Sequence, residues 1–127
     1  MIKDPPSEAQ ATVLVVDDEP LVRILTVQVL EEAGFRVKEA GSSEEALSRL
    51  DGHQLAALVT DVDMPGPMDG RALAWRVRRL FPAAAIIVIS GIITPDSDEL
   101  PPNAKFLTKP SDPKRLVREL DKTLCKA

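Results

Sequence analysis

Short apolar runs alternate with helix-patterned segments about five times along this chain, and that rhythm limits the folds open to it. "TVLVV" (Thr12–Val16), "FRVKEA" (Phe35–Ala40), "LAALVT" (Leu55–Thr60), "AAAIIVIS" (Ala83–Ser90) and "AKFLT" (Ala104–Thr108) each have the length of a strand. Three of them are continuous apolar runs, as strands buried on both faces are. Helical signals stand between them. Pro20 suits a first turn and Gly34 a stop, and Leu21, Val22, Leu25, Val29 and Leu30 give an apolar face. Ser42 with Glu45 three residues on is a capping box. Arg71–Leu80 reads as a helix halted by Phe81-Pro82, and Asp112-Pro113 opens a last helix carrying Leu116, Val117, Leu120 and Leu124. The alternation predicts an α/β fold, a doubly wound five-stranded parallel sheet with helices on both faces.

Composition narrows the function. With 127 residues the chain holds one domain. A net charge of −4 argues against a protein built to grip nucleic acid directly. A single cysteine, Cys125, makes neither an internal disulfide nor a zinc site, which fits a reducing, cytoplasmic setting. The start "MIKDPPSEAQA" has no apolar core of a signal peptide, and residues 1–11 read as a flexible N-terminal tail before a domain over 12–125. The longest apolar run, Ala83–Ile89, is far too short for a membrane span.

Ligands of open parallel sheets bind at the carboxyl ends of the strands. Here those ends carry Asp17-Asp18, Asp61, Ser90 and Thr108-Lys109. Three carboxylates brought together repel unless positive charge sits among them. Lys109 supplies one charge, and a hard divalent cation such as Mg²⁺ supplies two more. The set lacks the His and Cys that zinc prefers. It suits phosphoryl transfer, in which cation, lysine and hydroxyl take the phosphoryl oxygens while a carboxylate attacks in line. Taken singly, each residue has a plainer role: Asp17 or Asp18 capping the next helix, Asp69 capping the third.

The motifs "VLVVDDEP", "LVTDVDMPGPMDG", "IIVISG" and "AKFLTKP", in this order and spacing from Thr12 to Leu124, resemble a receiver domain of a two-component response regulator. The resemblance implies the flavodoxin-like (βα)5 fold with strand order 2-1-3-4-5. It also implies a bacterial, cytoplasmic signalling protein that catalyses only its own phosphorylation and dephosphorylation. Asp61 falls at the phospho-accepting position. Asp17, Asp18 and Asp61 fall where the family holds Mg²⁺ (or Mn²⁺), with the backbone carbonyl of Asp63 as a further ligand. Ser90 resembles the switch hydroxyl, Lys109 the lysine that pairs with the phosphoryl group, and Phe106 the aromatic switch residue. The Lys109-Pro110 bond is often cis in the family. The implied partners are a sensor histidine kinase or a histidine phosphotransfer protein as donor and a downstream protein target, with no direct nucleic acid and no membrane. The same resemblance fits a stand-alone protein or a receiver module of a hybrid histidine kinase.

Three features depart from the family's pattern. The loop "MPGPMDG" is one residue longer than usual. The stretch from Ser90 to Lys109 is short and holds Pro95, Pro101 and Pro102, so a shortened or remodelled fourth helix is expected. Asp63 adds an acid beside the site, which either slows access of anionic phosphodonors or orients a hydrolytic water. The Asp-x-Asp of "DVD" also resembles haloacid-dehalogenase-type phosphatases, but there it comes near the start and the acidic pair last, the reverse of this chain. His53 reads as a surface-turn residue, "RVRRL" (Arg76–Leu80) as a solvated face and Trp75 as packing.

Overall fold

A computed structural model describes residues 12–50, 55–91, 100–109 and 112–124. Five strands, β1 (Thr12–Val16), β2 (Arg36–Ala40), β3 (Ala57–Asp61), β4 (Ala85–Ser90) and β5 (Lys105–Thr108), form one sheet in the order β2-β1-β3-β4-β5. Every pairing is parallel. The helices among the described residues are α1 (Pro20–Glu32), α2 (Ser43–Ser48), α3 (Gly70–Leu80) and α4 (Pro113–Leu124). The expected remodelling of a helix between β4 and β5 falls on residues 92–99, outside the described residues. So do the tail at 1–11, His53, Pro110 and Cys125.

The sheet divides the core in two. Leu14, Val16, Leu58, Ile86 and Val88 point to one face and pack with Ala46 of α2 and Leu73, Ala74 and Val77 of α3. Val13, Val15, Val59 and Ile87 point to the other and pack with Leu30 of α1 and Leu116 and Leu120 of α4. The strands are buried on both sides because helices cover both, which is why β1, β3 and β4 read as unbroken apolar runs.

Local chemistry sets the element ends. Pro20 occupies the first turn of α1, and the helix closes with Gly34 N–H donating to the Glu31 carbonyl at 3.0 Å and Phe35 N–H to the Leu30 carbonyl at 3.1 Å. That paired closure is a Schellman motif, and Phe35 and Leu30 meet in the same core. At α2, Ser42 Oγ accepts from Glu45 N–H at 3.1 Å, while Glu45 Oε1 reaches back to Gly41 N–H at 2.8 Å. The reciprocal bond thus lands one residue before the expected partner. At α3, Asp69 Oδ1 accepts from Ala72 N–H at 3.0 Å, as the cap reading required. The residue capping α1 is Glu19, without a side-chain bond, so neither Asp17 nor Asp18 serves there.

Two sequence expectations fail. The apolar face assigned to α1 packs only in part: Leu30 is buried, whereas Leu21 is 77% and Leu25 58% exposed. Apolar residues at 21, 22, 24, 25, 27, 29 and 30 wrap most of the helix circumference, so periodicity could not single out the packing row. That row runs through Val27 and Leu30. Trp75 is 44% exposed and lies off the Leu73–Val77 packing row. Of the basic residues around it, Arg78 donates to the carbonyls of Pro82 and Ala84 and so ties α3 to the entrance of β4.

Candidate functional site

Strand register places the site. β3 pairs with β1 on one side and β4 on the other, matching Val16 to Thr60 and Asp61 to Ile89. Asp61 is therefore the last residue of a strand held on both flanks. Past the ends the ladder runs one step further: Val62 N–H donates to the Ile89 carbonyl and Lys109 N–H to the Ser90 carbonyl, both at 2.9 Å. These bonds fix the backbones from which the site side chains project.

Alternation along the strands sorts those side chains. Asp17 follows Val15, Asp61 follows Val59 and Lys109 follows Leu107 at two-residue spacing, so all three continue the α1/α4 face. Ser90 and Phe106 belong to the opposite face, with Val88. Phe106 is half-buried there, against the α2/α3 side of the core.

On the first face, oxygens of Asp17, Asp18 and Asp61 lie within 4.8 Å of one another. Asp61 is 4% and Asp17 8% exposed. Burial raises the Asp17 carboxyl above its usual range, and the charges of Asp61 and Asp18 push the same way, against a hydrogen bond from Glu19 N–H at 2.9 Å and the pull of Lys109. Lys109 Nζ donates to Asp61 Oδ2 at 2.9 Å. Burial alone would lower the Lys109 ammonium, but its hydrogen bond to Asp61 and the charges of Asp61, Asp17 and Glu19 outweigh that and raise it. One ammonium does not balance three carboxylates. An all-oxygen donor set with excess negative charge fits a hard divalent cation, and it fits Mg²⁺ in particular because few protein ligands leave positions for water and phosphate.

The other Asp61 oxygen, Oδ1, accepts from Asp63 N–H at 3.1 Å. The Asp63 side chain turns to the second face, where its Oδ2 accepts from Ser90 Oγ at 3.0 Å. Ser90 is 1% exposed. Neither role considered for the Asp63 side chain from sequence included this contact. Sequence reasoning missed it because the two residues are 27 apart and their meeting depends on the loop after β3.

That loop has a closed base. Gly70 N–H donates to the Val62 carbonyl at 3.0 Å, and Met64 N–H to the same carbonyl at 3.1 Å. Met64 is buried, while Pro65, Gly66 and Pro67 are exposed, with Gly66 at φ +103°. The exposed tip of the loop is thus Pro65-Gly66-Pro67. Beside the acids is an open pocket of about 600 Å³, lined by Asp17, Asp61 and Lys109 together with Val22 and Leu25 of α1 and Leu116 of α4.

Comparison with known proteins agrees with this geometry. The family model for the response regulator receiver domain matches residues 13–121. The response regulator receiver protein CpdR of Brucella abortus is 36% identical over 119 residues, covering 91% of this chain and 98% of that protein. The sensor kinase CckA of the same organism is 38% identical over 119 residues, which are 90% of this chain but 12% of the kinase. Among solved structures, a response regulator receiver protein from Sinorhizobium medicae superposes with a TM-score of 0.85 at 28% identity, covering 91% of this chain and 94% of that one.

Proposed function

Since the chain belongs to the response regulator receiver domain family and is a phosphoryl-accepting signalling domain, we propose that Asp61 is the residue that takes the phosphoryl group. The supporting observation is the state of its carboxylate: 4% exposed, at the end of a central strand, with Lys109 Nζ at 2.9 Å and two more carboxylates within 4.8 Å. Asp63 N–H on Oδ1 and Lys109 on Oδ2 hold the carboxylate plane before any donor arrives. Such pre-set geometry is how a weak nucleophile gains rate.

The donor in this reading is a phosphohistidine on a sensor kinase or a histidine phosphotransfer protein. An Asp61 oxygen attacks phosphorus in line, the new O–P bond forms, and the N–P bond to the histidine breaks. As the carboxylate becomes an acyl phosphate it loses its own charge, and Lys109 passes its hydrogen bond from Asp61 to a phosphoryl oxygen. Ser90 donates its hydroxyl to another, and Phe106, on the same sheet face, repacks in response. A coupling of about 1–3 kcal/mol is the usual size of such a switch. Asp17, Asp18, Asp61 and the Asp63 carbonyl would hold Mg²⁺ or Mn²⁺, which when bound supplies positive charge for the phosphoryl oxygens.

The output is protein–protein contact in the cytoplasm, with no turnover of an external substrate. The chemistry is the same for a protein acting alone and for a receiver module within a hybrid histidine kinase. The haloacid-dehalogenase-type reading is not favoured, because the family match spans residues 13–121. Incubation with Mg²⁺ and acetyl phosphate should add one base-labile phosphoryl group, seen by mass spectrometry, and Asp61→Asn should abolish it. Unchanged labelling of Asp61→Asn would sink the assignment.

A further inference from the structure

Asp63 is bonded to both sides of the site at once, its backbone N–H to Asp61 Oδ1 at 3.1 Å and its carboxylate to the Ser90 hydroxyl at 3.0 Å. A serine hydroxyl has one proton to donate. While that proton points at Asp63 it cannot point at a phosphoryl oxygen on Asp61. An ionised carboxylate is an acceptor only, so Asp63 has nothing to offer the phosphoryl group in exchange. From this exclusivity we infer that the Asp63 side chain is a resting-state latch: a positioning residue that holds Ser90 away from Asp61 and sets how strongly a phosphoryl group must pull to recruit it.

The surroundings support a latch. Ser90 is 1% exposed and ends a strand whose Ser90 carbonyl is fixed by Lys109 N–H at 2.9 Å, so its backbone is held in place. Asp63 is only half-buried and sits in the loop after β3, free of strand pairing. When the bond breaks, the hydroxyl turns in place and the carboxylate swings towards water. A bond to a charged acceptor is among the stronger hydrogen bonds, so its loss is a real cost of activation.

The inference rests on Asp61 being the phosphoryl acceptor, and the test separates the two. Beryllofluoride with Mg²⁺ serves as a phosphoryl mimic on the full chain, and its affinity is titrated by NMR for wild type, Asp63→Ala, Asp63→Asn, Ser90→Ala and the Asp63→Ala/Ser90→Ala double variant. Removal of the latch should tighten binding about tenfold in the Ser90 background and leave it unchanged in the Ser90→Ala background. Asp63→Asn keeps an oxygen acceptor without the charge and should stay nearer wild type than Asp63→Ala. In the metal-free, unmodified protein, Asp63→Ala should move the Ser90 and Gly91 amide signals, and Asp63→Asn should restore most of the shift. Equal gains in both Ser90 backgrounds, or Asn matching Ala, would mean that only charge repulsion acts, and the latch is overturned. Wild-type protein that binds no beryllofluoride would overturn the Asp61 reading itself, and the latch with it.

Discussion

Gly70→Ala tests how closely α3 is docked against the strand that carries Asp61. A Cβ at residue 70 would lie 2.7 Å from the Asp61 carbonyl carbon and 2.8 Å from Val62 Cα, with the Asp61 carbonyl oxygen nearer still. Carbon atoms in good contact stand roughly 3.5–4.0 Å apart, so the carbons alone demand a separation of roughly 0.8 Å and the nearer carbonyl oxygen demands more. All three atoms belong to the main chain, so no side chain can rotate to relieve the contact. Overpacking of this kind costs about 1–3 kcal/mol. Alanine's better helix propensity returns at most about 1 kcal/mol. A net loss of about 1–2 kcal/mol should lower Tm by about 4–8 °C in a domain of this size. The same displacement moves Asp61 relative to Asp17 and Lys109, and an ångström-scale error at a reacting group can cost about 100-fold. Labelling by acetyl phosphate should therefore slow by about tenfold or more. Thermal melts and timed mass spectra measure both effects. If Gly70→Ala melts at or above the wild-type temperature, as propensity alone would give, the docking reasoning is wrong.

Other outcomes follow from the same geometry. Lys109→Ala leaves the 4% exposed Asp61 carboxylate without its ammonium; a fully buried pair broken this way costs about 3–5 kcal/mol, and because the Lys109 side chain is 33% exposed, a loss of about 1–3 kcal/mol is expected in denaturant melts without metal. Mg²⁺ at 100 times its dissociation constant should stabilise the fold by about 2.7 kcal/mol. Asp17→Asn should remove that response while raising the metal-free Tm, since it deletes one of three crowded carboxylates. Glu45 offers a pH signature away from the site. Gly41 N–H first and the Arg49 side chain second hold its carboxyl below 4.5, so its stabilisation is complete above that value and is lost as pH falls through the folded value. The Tm gap between wild type and Glu45→Gln should accordingly be present at pH 7 and shrink below about pH 4.5.

Much of this architecture was legible because backbone demands are written locally. β1 has the bounds read from "TVLVV", and the caps at Ser42 and Asp69 sit where short polar side chains precede helical runs. The gathering of Asp17, Asp18, Asp61, Ser90 and Lys109 needed only the parallel-sheet rule that strand ends share one edge. Which face each residue takes was not read, although register and two-residue alternation contain it. Asp17, Asp61 and Lys109 fall on one row, and Ser90 and Phe106 fall on the other. The Asp63–Ser90 bond lay beyond sequence altogether, because a loop rather than a periodic element sets it. The packing row of α1 was hidden for the opposite reason: too many of its residues are apolar for a stripe to stand out.

The Lys109–Asp61 bond joins two strands that are not neighbours. β3 is flanked on both sides, β4 lies next to it, and β5, the four-residue strand that leads into Lys109, forms the border of the sheet. The ammonium therefore acts as a staple thrown across β4, fastening the sheet's border to its central strand. The cohesion of that border is in part a function of charge on a single carboxylate. Any chemistry that removes the charge from Asp61 would slacken that staple and, with it, the border of the sheet.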